Sequence, residues 1–399
     1  MSALTPMLLG ELVTLQAGVG FPLELQGRTS GAYPLAKVGD ISRVGRAGQS
    51  TLFAADHYVD EDDLRRLKAK PIPAGSILFA KIGEAIRHNH RVIAGCELLI
   101  DNNAMAAIPN DRIDSRFLYH FLHTVDFYAL VSATTVPALR KSDLARLHVP
   151  VPPLSEQRRI AEVLDSAEIL RAKRLAALTG LDTLTKSIFL DLFGDPATNP
   201  REWPSVSLGS LLKSVTNGMS RRRSEADPGQ SIVLRLRDIR EGWIDFSGIN
   251  RITLTAEEID RYKVLAGDLL FIRVNGNPDY VGRCALFAEH SEDVYFNDHI
   301  MRVRINSKSL NGVFLTFLLN GMHGKREITR HRKTSAGQHT INQDGLSQIR
   351  LPLPPIRLQN DFARYVSSVA KLRVAYRASL AELNALFASL QHYAFRGEL

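Results

Sequence analysis

The stretch His148-Val149-Pro150-Val151-Pro152-Pro153-Leu154-Ser155-Glu156-Gln157 decides how the chain is organised. It returns 202 residues later as Arg350-Leu351-Pro352-Leu353-Pro354-Pro355-Ile356-Arg357-Leu358-Gln359. Each Pro-x-Pro-Pro run removes three backbone donors and holds φ at about −65°, a stiff extended approach that no helix interior can contain. The residues after each copy read as a helix. Ser155 is expected to cap the first helix, with Glu156 in its first turn. Arg357-Leu358 stands there in the second, where Asp361 is expected to supply the carboxylate. Apolar residues then recur at three- and four-residue steps. The second copy reads Phe362, Val366, Val369, Arg373, Tyr376, Leu380, Leu383, Phe387 and Leu390. The first reads Val163, Ala167, Leu170, Arg174, Ala177, Leu181, Leu184 and Ile188, with Ile160 and Leu164 on its opening turns. Each helix has a long seam and needs a partner.

A repeat of this length is a whole domain plus a helix, not a solenoid module of a few tens of residues. Landmarks recur in the same order. Leu208-Gly209-Ser210-Leu211-Leu212 matches Leu9-Gly10-Glu11-Leu12-Val13, Leu236-Arg237-Asp238-Ile239 matches Val38-Gly39-Asp40-Ile41, and Ala266 to Phe271 matches Ala74 to Phe79. Asp298 to Met301 falls at Asn102 to Met105, and Phe314-Leu315 at Phe117-Leu118. Tyr33 to Val38 and Pro73 to Lys81 read as strands, and Phe117, Leu118, Phe121 and Leu122 mark a helix with Ser115 near its cap. The expected fold is α+β. Two pseudo-repeated mixed α/β domains occupy residues 1–152 and 194–354, with coiled-coil-like spacer helices over 153–193 and 355–399. Phe193-Gly194-Asp195-Pro196 stops the first helix, which at about 1.5 Å per residue spans roughly 55–60 Å.

With 399 residues, 45% of them hydrophobic, the chain builds two or three ordinary cores. No apolar run approaches the ~18–20 residues of a membrane span, and no basic region precedes an apolar core at the start, so a soluble cytoplasmic protein is expected. Cys96 and Cys284 cannot form a zinc cluster alone, sit at non-equivalent places in the two halves, and are expected to be buried and reduced. The net charge of +8 divides as +1 over residues 1–154, 0 over 155–193, +4 over 194–355 and +3 over 356–399. Any nucleic-acid signal therefore lies in local clusters.

Catalytic patterns are missing. Gly324-Lys325 lacks the upstream glycine and the following Ser/Thr of a phosphate loop. Asn277-Pro278-Asp279-Tyr280 is one residue from the Asn-Pro-Pro-Tyr type of adenine methyltransferases, but no cofactor loop accompanies it, so it reads as a turn. His88-Asn89-His90 has no nearby carboxylate or third ligand and reads as a polar loop, not a metal site. Gly-x-Ser-x-Gly, His-Glu-x-x-His and Cys-x-x-Cys are absent, and no catalytic residue is assigned.

What remains are basic clusters among polar neighbours. Arg221-Arg222-Arg223 follows Asn217-Gly218, and Arg235 and Arg237 are expected to share a strand face, with Arg240 beyond. Arg273 and Asn275 precede the Asn-Pro turn, and Arg330-His331-Arg332-Lys333-Thr334-Ser335 leads into Gln338, His339, Asn342 and Gln343. The first half offers Arg43, Arg46, Gln49, Lys81, Arg87, His88, Asn89, His90, Arg91, Arg140 and Lys141. Arg, Gln, Asn and Ser/Thr are the groups that meet phosphates and base edges, so these clusters favour DNA contact.

The hinge from Pro150 to Ile160, its second copy from Pro352 to Gln359, the Phe193-Gly194-Asp195-Pro196 stop and the closing Ala394-Phe395-Arg396-Gly397-Glu398-Leu399 resemble the specificity subunits of type I restriction–modification enzymes. The resemblance runs the full chain and departs from the family at Arg357-Leu358. It implies two target-recognition domains that each read half of a split, asymmetric sequence in double-stranded DNA, separated by two long antiparallel helices. It also implies that hinges and helices bind two modification (methyltransferase) subunits, which carry S-adenosylmethionine and methylate adenine. ATP-using restriction/translocase subunits can then join. The chain itself would hold no cofactor and no metal. Two readings stay open beside it: an enzyme with its own methyltransferase or nuclease site, and a helical scaffold that never meets DNA.

Overall fold

The computed structural model describes residues 5–131, 136–220, 229–335 and 337–399. It divides into two units, Met1–Ala177 with Tyr376–Leu399, and Leu178–Ala375.

In the first unit, strands Val13–Ala17, Ala104–Pro109, Ile77–Ala80, Arg91–Ala94 and Thr51–Leu52 lie side by side in that order. Ile77–Ala80 is buried at every residue because both of its faces are covered, which is why it reads as an unbroken apolar run. Ile77, Phe79 and Ile93 pack with Phe117, Leu118 and Leu122 of the helix Ser115–Thr124. Leu78, Val92 and Ala94 pack on the opposite face with Ile41 of the helix Val38–Arg46. Asp114 caps the first of these helices, its carboxylate accepting from Arg116 N at 2.9 Å and Phe117 N at 3.1 Å. The strand expected over Tyr33 to Val38 ends at Ala36, because Asp40 accepts from Lys37 N at 2.8 Å and starts a helix there.

The second unit repeats the order with strands Leu212–Asn217, Ile300–Ile305, Leu269–Ile272 and Cys284–Leu286. Register repeats too. Phe79 lies opposite Met105 and Arg91, and Phe271 lies opposite Met301 and Cys284. Helix Gly312–Asn320, capped by Asn311, covers the sheet as Ser115–Thr124 does in the first unit. Beyond this shared scaffold the second unit carries a three-stranded ribbon of Val274–Asn275, Gln338–Thr340 and Lys333–Ser335.

Each hinge is half of a two-stranded ribbon: His148–Val151 pairs with Thr5–Leu8, and Arg350–Pro352 with Ser205–Ser207. Prolines fit such edge positions, where a donor is not required. The long helices beyond the hinges run Leu154–Phe193, 40 residues, and Ile356–Ala394, 39 residues. Pro153 O accepts from Glu156 N at 2.9 Å and Gln157 N at 3.0 Å, so the first helix starts before Ser155, which is not its cap. Asp361 lies past the first turn of the second helix and pairs with Arg364. Gly194, at φ 75°, ends the first helix.

Each unit contains a segment of both helices, and their contacts correct the first seam. In the first unit Ile160, Leu164, Ala167, Arg171 and Arg174 turn inward; in the second, Leu178, Leu181, Thr185, Ile188 and Leu192 do so. This is an unbroken 4-3 spacing. Leu170 and Leu184, expected within it, are 53% and 45% exposed. Arg171 takes the place beside Leu170 by stacking on Phe387 at 4.5 Å and donating to Asn384 at 2.7 Å, and Arg174 lies 4.4 Å over Tyr376. These partners run antiparallel, as does the ion pair of Arg373 with Asp182 in the second unit. On the second helix Phe362 and Val369 are buried, while Val366, Tyr376, Leu380, Leu383, Phe387 and Leu390 are half-buried. Among the described residues no helix is long and apolar enough to cross a membrane.

Candidate nucleic-acid interface

In the first unit the loop cations are held by acids and rings. Asp40, buried under the helix it caps, pairs with Arg43, whose other arm reaches Asp56 at 2.7 Å. The hydrogen bond to Asp56 holds the Arg43 guanidinium above its ordinary pKa. Arg46 donates to Ser42 O at 3.2 Å. Arg87 pairs with Glu84, donates to Tyr128 Oη at 2.7 Å and stacks on that ring at 4.0 Å. His88 and His90 stack at 5.9 Å between centroids. Lys81 is half-buried, and Arg140 and Lys141 are exposed at the start of the helix Lys141–Ala145.

Two residues of the expected cluster face inward. Arg91 is 1% exposed, donates to Asn89 O at 2.6 Å and Val125 O at 2.8 Å, and lies 3.9 Å over Phe127. Burial pushes its pKa down to about 9. It is a core residue and cannot reach DNA, because its register opposite Phe79 points it beneath the helix Ser115–Thr124. Asn89, at φ 55°, closes the preceding turn and donates to Val125 O at 3.2 Å, so its amide is also engaged internally.

In the second unit Arg221, Arg222 and Arg223 lie outside the described residues. Arg235 and Arg237 do not share a strand face: the strand ends at Leu234, and both sit in a tight turn around buried Asp238. They nevertheless converge, both donating to Gly248 O, at 2.7 and 3.1 Å. Arg240 pairs with Asp245 at 3.0 Å. Arg273 donates to Asp298 O at 3.0 Å and Arg332 to Pro278 O at 2.9 Å, while exposed Arg330 pairs with buried Glu327. The ribbon brings Asn275, His339 and Thr334 into one row, since Asn275 lies opposite His339 and His339 opposite Thr334. Thr334 Oγ1 meets His339 Nδ1 at 2.8 Å. Sequence reasoning gives Thr334 no role of its own, because a hydroxyl in a basic polar run carries no periodicity that would mark it.

The titratable groups elsewhere are structural. His120 Nε2 lies 2.9 Å from Asp165, with Glu168 near enough that their ligand atoms all fall within 4.8 Å. Arg116 donates to the same Asp165 at 2.9 Å, so a cation already occupies the set and the cluster ties helix Ser115–Thr124 to the first long helix. Burial raises the Asp165 pKa, but the bond and charge of His120 with those of Arg116 outweigh it and hold the carboxyl below its usual range. Cys284 is buried, and that burial lifts its thiol far above the ordinary value, while Cys96, expected to be buried, is half-buried with Sγ 3.4 Å from Phe53 O.

Residues 3–179 and 200–383 match the family model described as "Type I restriction modification DNA specificity domain". The chain is 28% identical over 319 residues to the type I restriction enzyme StySPI specificity subunit of Salmonella potsdam, covering 73% of this chain and 67% of that one. It is 27% identical over 316 residues to the EcoKI specificity subunit of Escherichia coli, with the same coverage of 73% and 67%. The crystal structure of a type I restriction–modification S subunit from M. genitalium has the same fold, with TM-score 0.58 at 15% identity over 99% of this chain and 97% of that one. A structure from work on complex assembly and conformational transition of the type I system agrees, at TM-score 0.58 and 18% identity over 100% and 99%. Two matched copies, one in each half of a duplicated scaffold, place the chain in the type I restriction–modification DNA specificity family, whose role is target recognition.

Proposed function

We propose that each unit reads one half of a split, asymmetric duplex sequence, and that the chain hands this recognition to two modification subunits that supply S-adenosylmethionine and methylate adenine. The observation that supports it is the pairing of a repeated scaffold with unlike loops. The central strands keep one order and register in both units, while the polar surfaces attached to them differ: Arg87 on Tyr128 in the first, the Asn275, His339 and Thr334 row in the second. A scaffold held constant while its loops diverge suits two readers with different targets. Outward apolar residues of the first long helix, Ile169 and Leu170 in the first unit and Leu184 and Leu190 in the second, each 45–53% exposed, are the surfaces we assign to the modification subunits. We assign the chain no catalytic residue and no cofactor, and place it in the cytoplasm. Restriction subunits would join the assembled complex.

The test is co-expression with the neighbouring modification subunit in a methylation-free host, followed by genome-wide single-molecule sequencing. A new split motif methylated on adenine in both halves is the expected result. An assembled, S-adenosylmethionine-supplied complex that leaves no motif would overturn it.

A further inference from the structure

We infer that the ribbon of Val274–Asn275, Gln338–Thr340 and Lys333–Ser335 is the element by which the second domain enters the major groove, with Gln338 and His339 as its specificity-determining residues. This rests on the DNA-recognition reading above and deepens it. Its outer hairpin, Lys333–Ser335 paired with Gln338–Thr340, is a two-stranded ribbon, which fits the width of the major groove, where every base pair shows a distinct set of donors and acceptors. The strand Lys333–Ser335 is the free edge and all three residues are exposed. Gly337, at φ 76°, turns the chain back. His339 is fixed by Thr334, which takes its Nδ1 and leaves Nε2 without a partner among the described residues. Gln338, opposite Ser335 at the end of the ribbon, is exposed and its carboxamide likewise has no partner there; such a group can bond adenine at two edge atoms at once.

Charge selects the occupant. Residues 322–340 hold five Lys and Arg against one acid, Glu327, which is buried and paired with Arg330; Lys325 pairs with Glu241 at 2.8 Å, which leaves Arg326, Arg332 and Lys333 without an acidic partner among the described residues. A polyanion is the complement of such a surface, whereas an apolar peptide would find no apolar side chain on the edge strand. The first domain supports the assignment by contrast. Leu139 N donates to Lys81 O as Ile341 N donates to Arg273 O, and Ile82 bridges Ala138 as Val274 pairs with Thr340. Val136 and Pro137 therefore occupy the places of Gln338 and His339. The backbone position is common to both domains, and at these two described positions the side-chain hydrogen-bonding groups are those of Gln338 and His339.

Gln338→Ala, His339→Ala and the milder His339→Gln are to be assembled with wild-type modification subunits and compared by motif sequencing and by binding to the cognate duplex. Loss of one base-reading pair should cut discrimination roughly 5- to 150-fold at one or two positions. The loss is expected in one half of the target, with the other half read as before and thermal melting unchanged. Variants that assemble and keep the full motif and the full discrimination would overturn the ribbon assignment. A wild-type complex that binds duplex DNA without sequence preference would instead overturn the recognition reading, and the ribbon with it.

Discussion

Gln157 Oε1 accepts from the backbone N–H of Asp114 at 2.8 Å, so a side chain at the start of the long helix holds the cap of the helix that covers the first sheet. Its Nε2 donates to Arg112 O at 3.0 Å and Pro152 O at 2.9 Å. Gln359 repeats the arrangement in the second unit, accepting from Asn311 N at 2.8 Å and donating to Ser309 O at 3.2 Å and Pro354 O at 2.8 Å. Both are fully buried. Gln157→Ala strands three backbone groups away from water and should cost ~3 kcal/mol. Gln157→Glu keeps the acceptor for Asp114 but sets a carboxylate against two carbonyls, so it should cost more. Urea denaturation measures both, and a Glu variant as stable as wild type would show that water reaches the clasp.

The corrected seam separates two leucines that look alike in sequence. Leu164 is 0% exposed and Leu170 is 53% exposed. Leu164→Asp buries an unpaired charge and should destabilise the chain by ~4 kcal/mol. Leu170→Asp should change its stability by less than about 0.5 kcal/mol while weakening capture of the modification subunit. Melting of the isolated chain and co-purification give the two readouts. Equal melting losses would restore Leu170 to the seam.

The division between what sequence carried and what it concealed comes from these positions. The hinge repeat, the buried strand Ile77–Ala80 and the seam of the second helix were legible because proline geometry and apolar periodicity mark them directly. The first seam slipped by one residue at Leu170 and Leu184, since an apolar neighbour outscores an arginine unless its partner Phe387 is known to be there, and outscores a threonine such as Thr185, which satisfies its hydroxyl on Leu181 O. Arg91 looked like a loop cation because the ring that buries it, Phe127, lies 36 residues away. Two of the ribbon's three strands, Lys333–Ser335 and Gln338–Thr340, are polar throughout and the third is only two residues long, so no alternation announced it.

Close backbone approach fixes another pair. A Cβ on Gly18 would stand 2.0 Å from Asp101 O, and one on Gly218 would stand 2.1 Å from Asn297 O, at the equivalent crossing of the second unit. Neither carbonyl can retreat, since Val19 bridges Asp101 and Met219 bridges Asn297 in the adjoining positions. Gly218→Ala should lower stability by about 2–3 kcal/mol. Gly276→Ala, with nothing within 4 Å of the added carbon, is the control and should melt close to wild type.

His123 gives the first unit a pH dependence that the second lacks. The residue is half-buried with its ring enclosed, hydrogen-bonded to the Arg91 backbone, and its Nε2 has no partner among the described residues. Burial first, then the Arg91 and His120 charges, push its pKa down to about 3, against about 6.5 in the unfolded chain. Between those values the unfolded state binds a proton that the folded state refuses. Stability is therefore complete above about pH 6.5 and falls as pH drops toward 3, by up to roughly 1.4 kcal/mol per unit. The equivalent residue of the second unit is Asn320, whose amide bonds Cys284 N at 3.2 Å and Cys284 O at 2.9 Å without titrating. His123→Asn should thus flatten the decline between pH 7 and 5. Glu168, whose carboxyl burial pushes up, contributes with the opposite sign but equally in both chains, so the difference between them isolates His123. Parallel pH profiles in urea denaturation would show that His123 accepts a proton in the folded state after all.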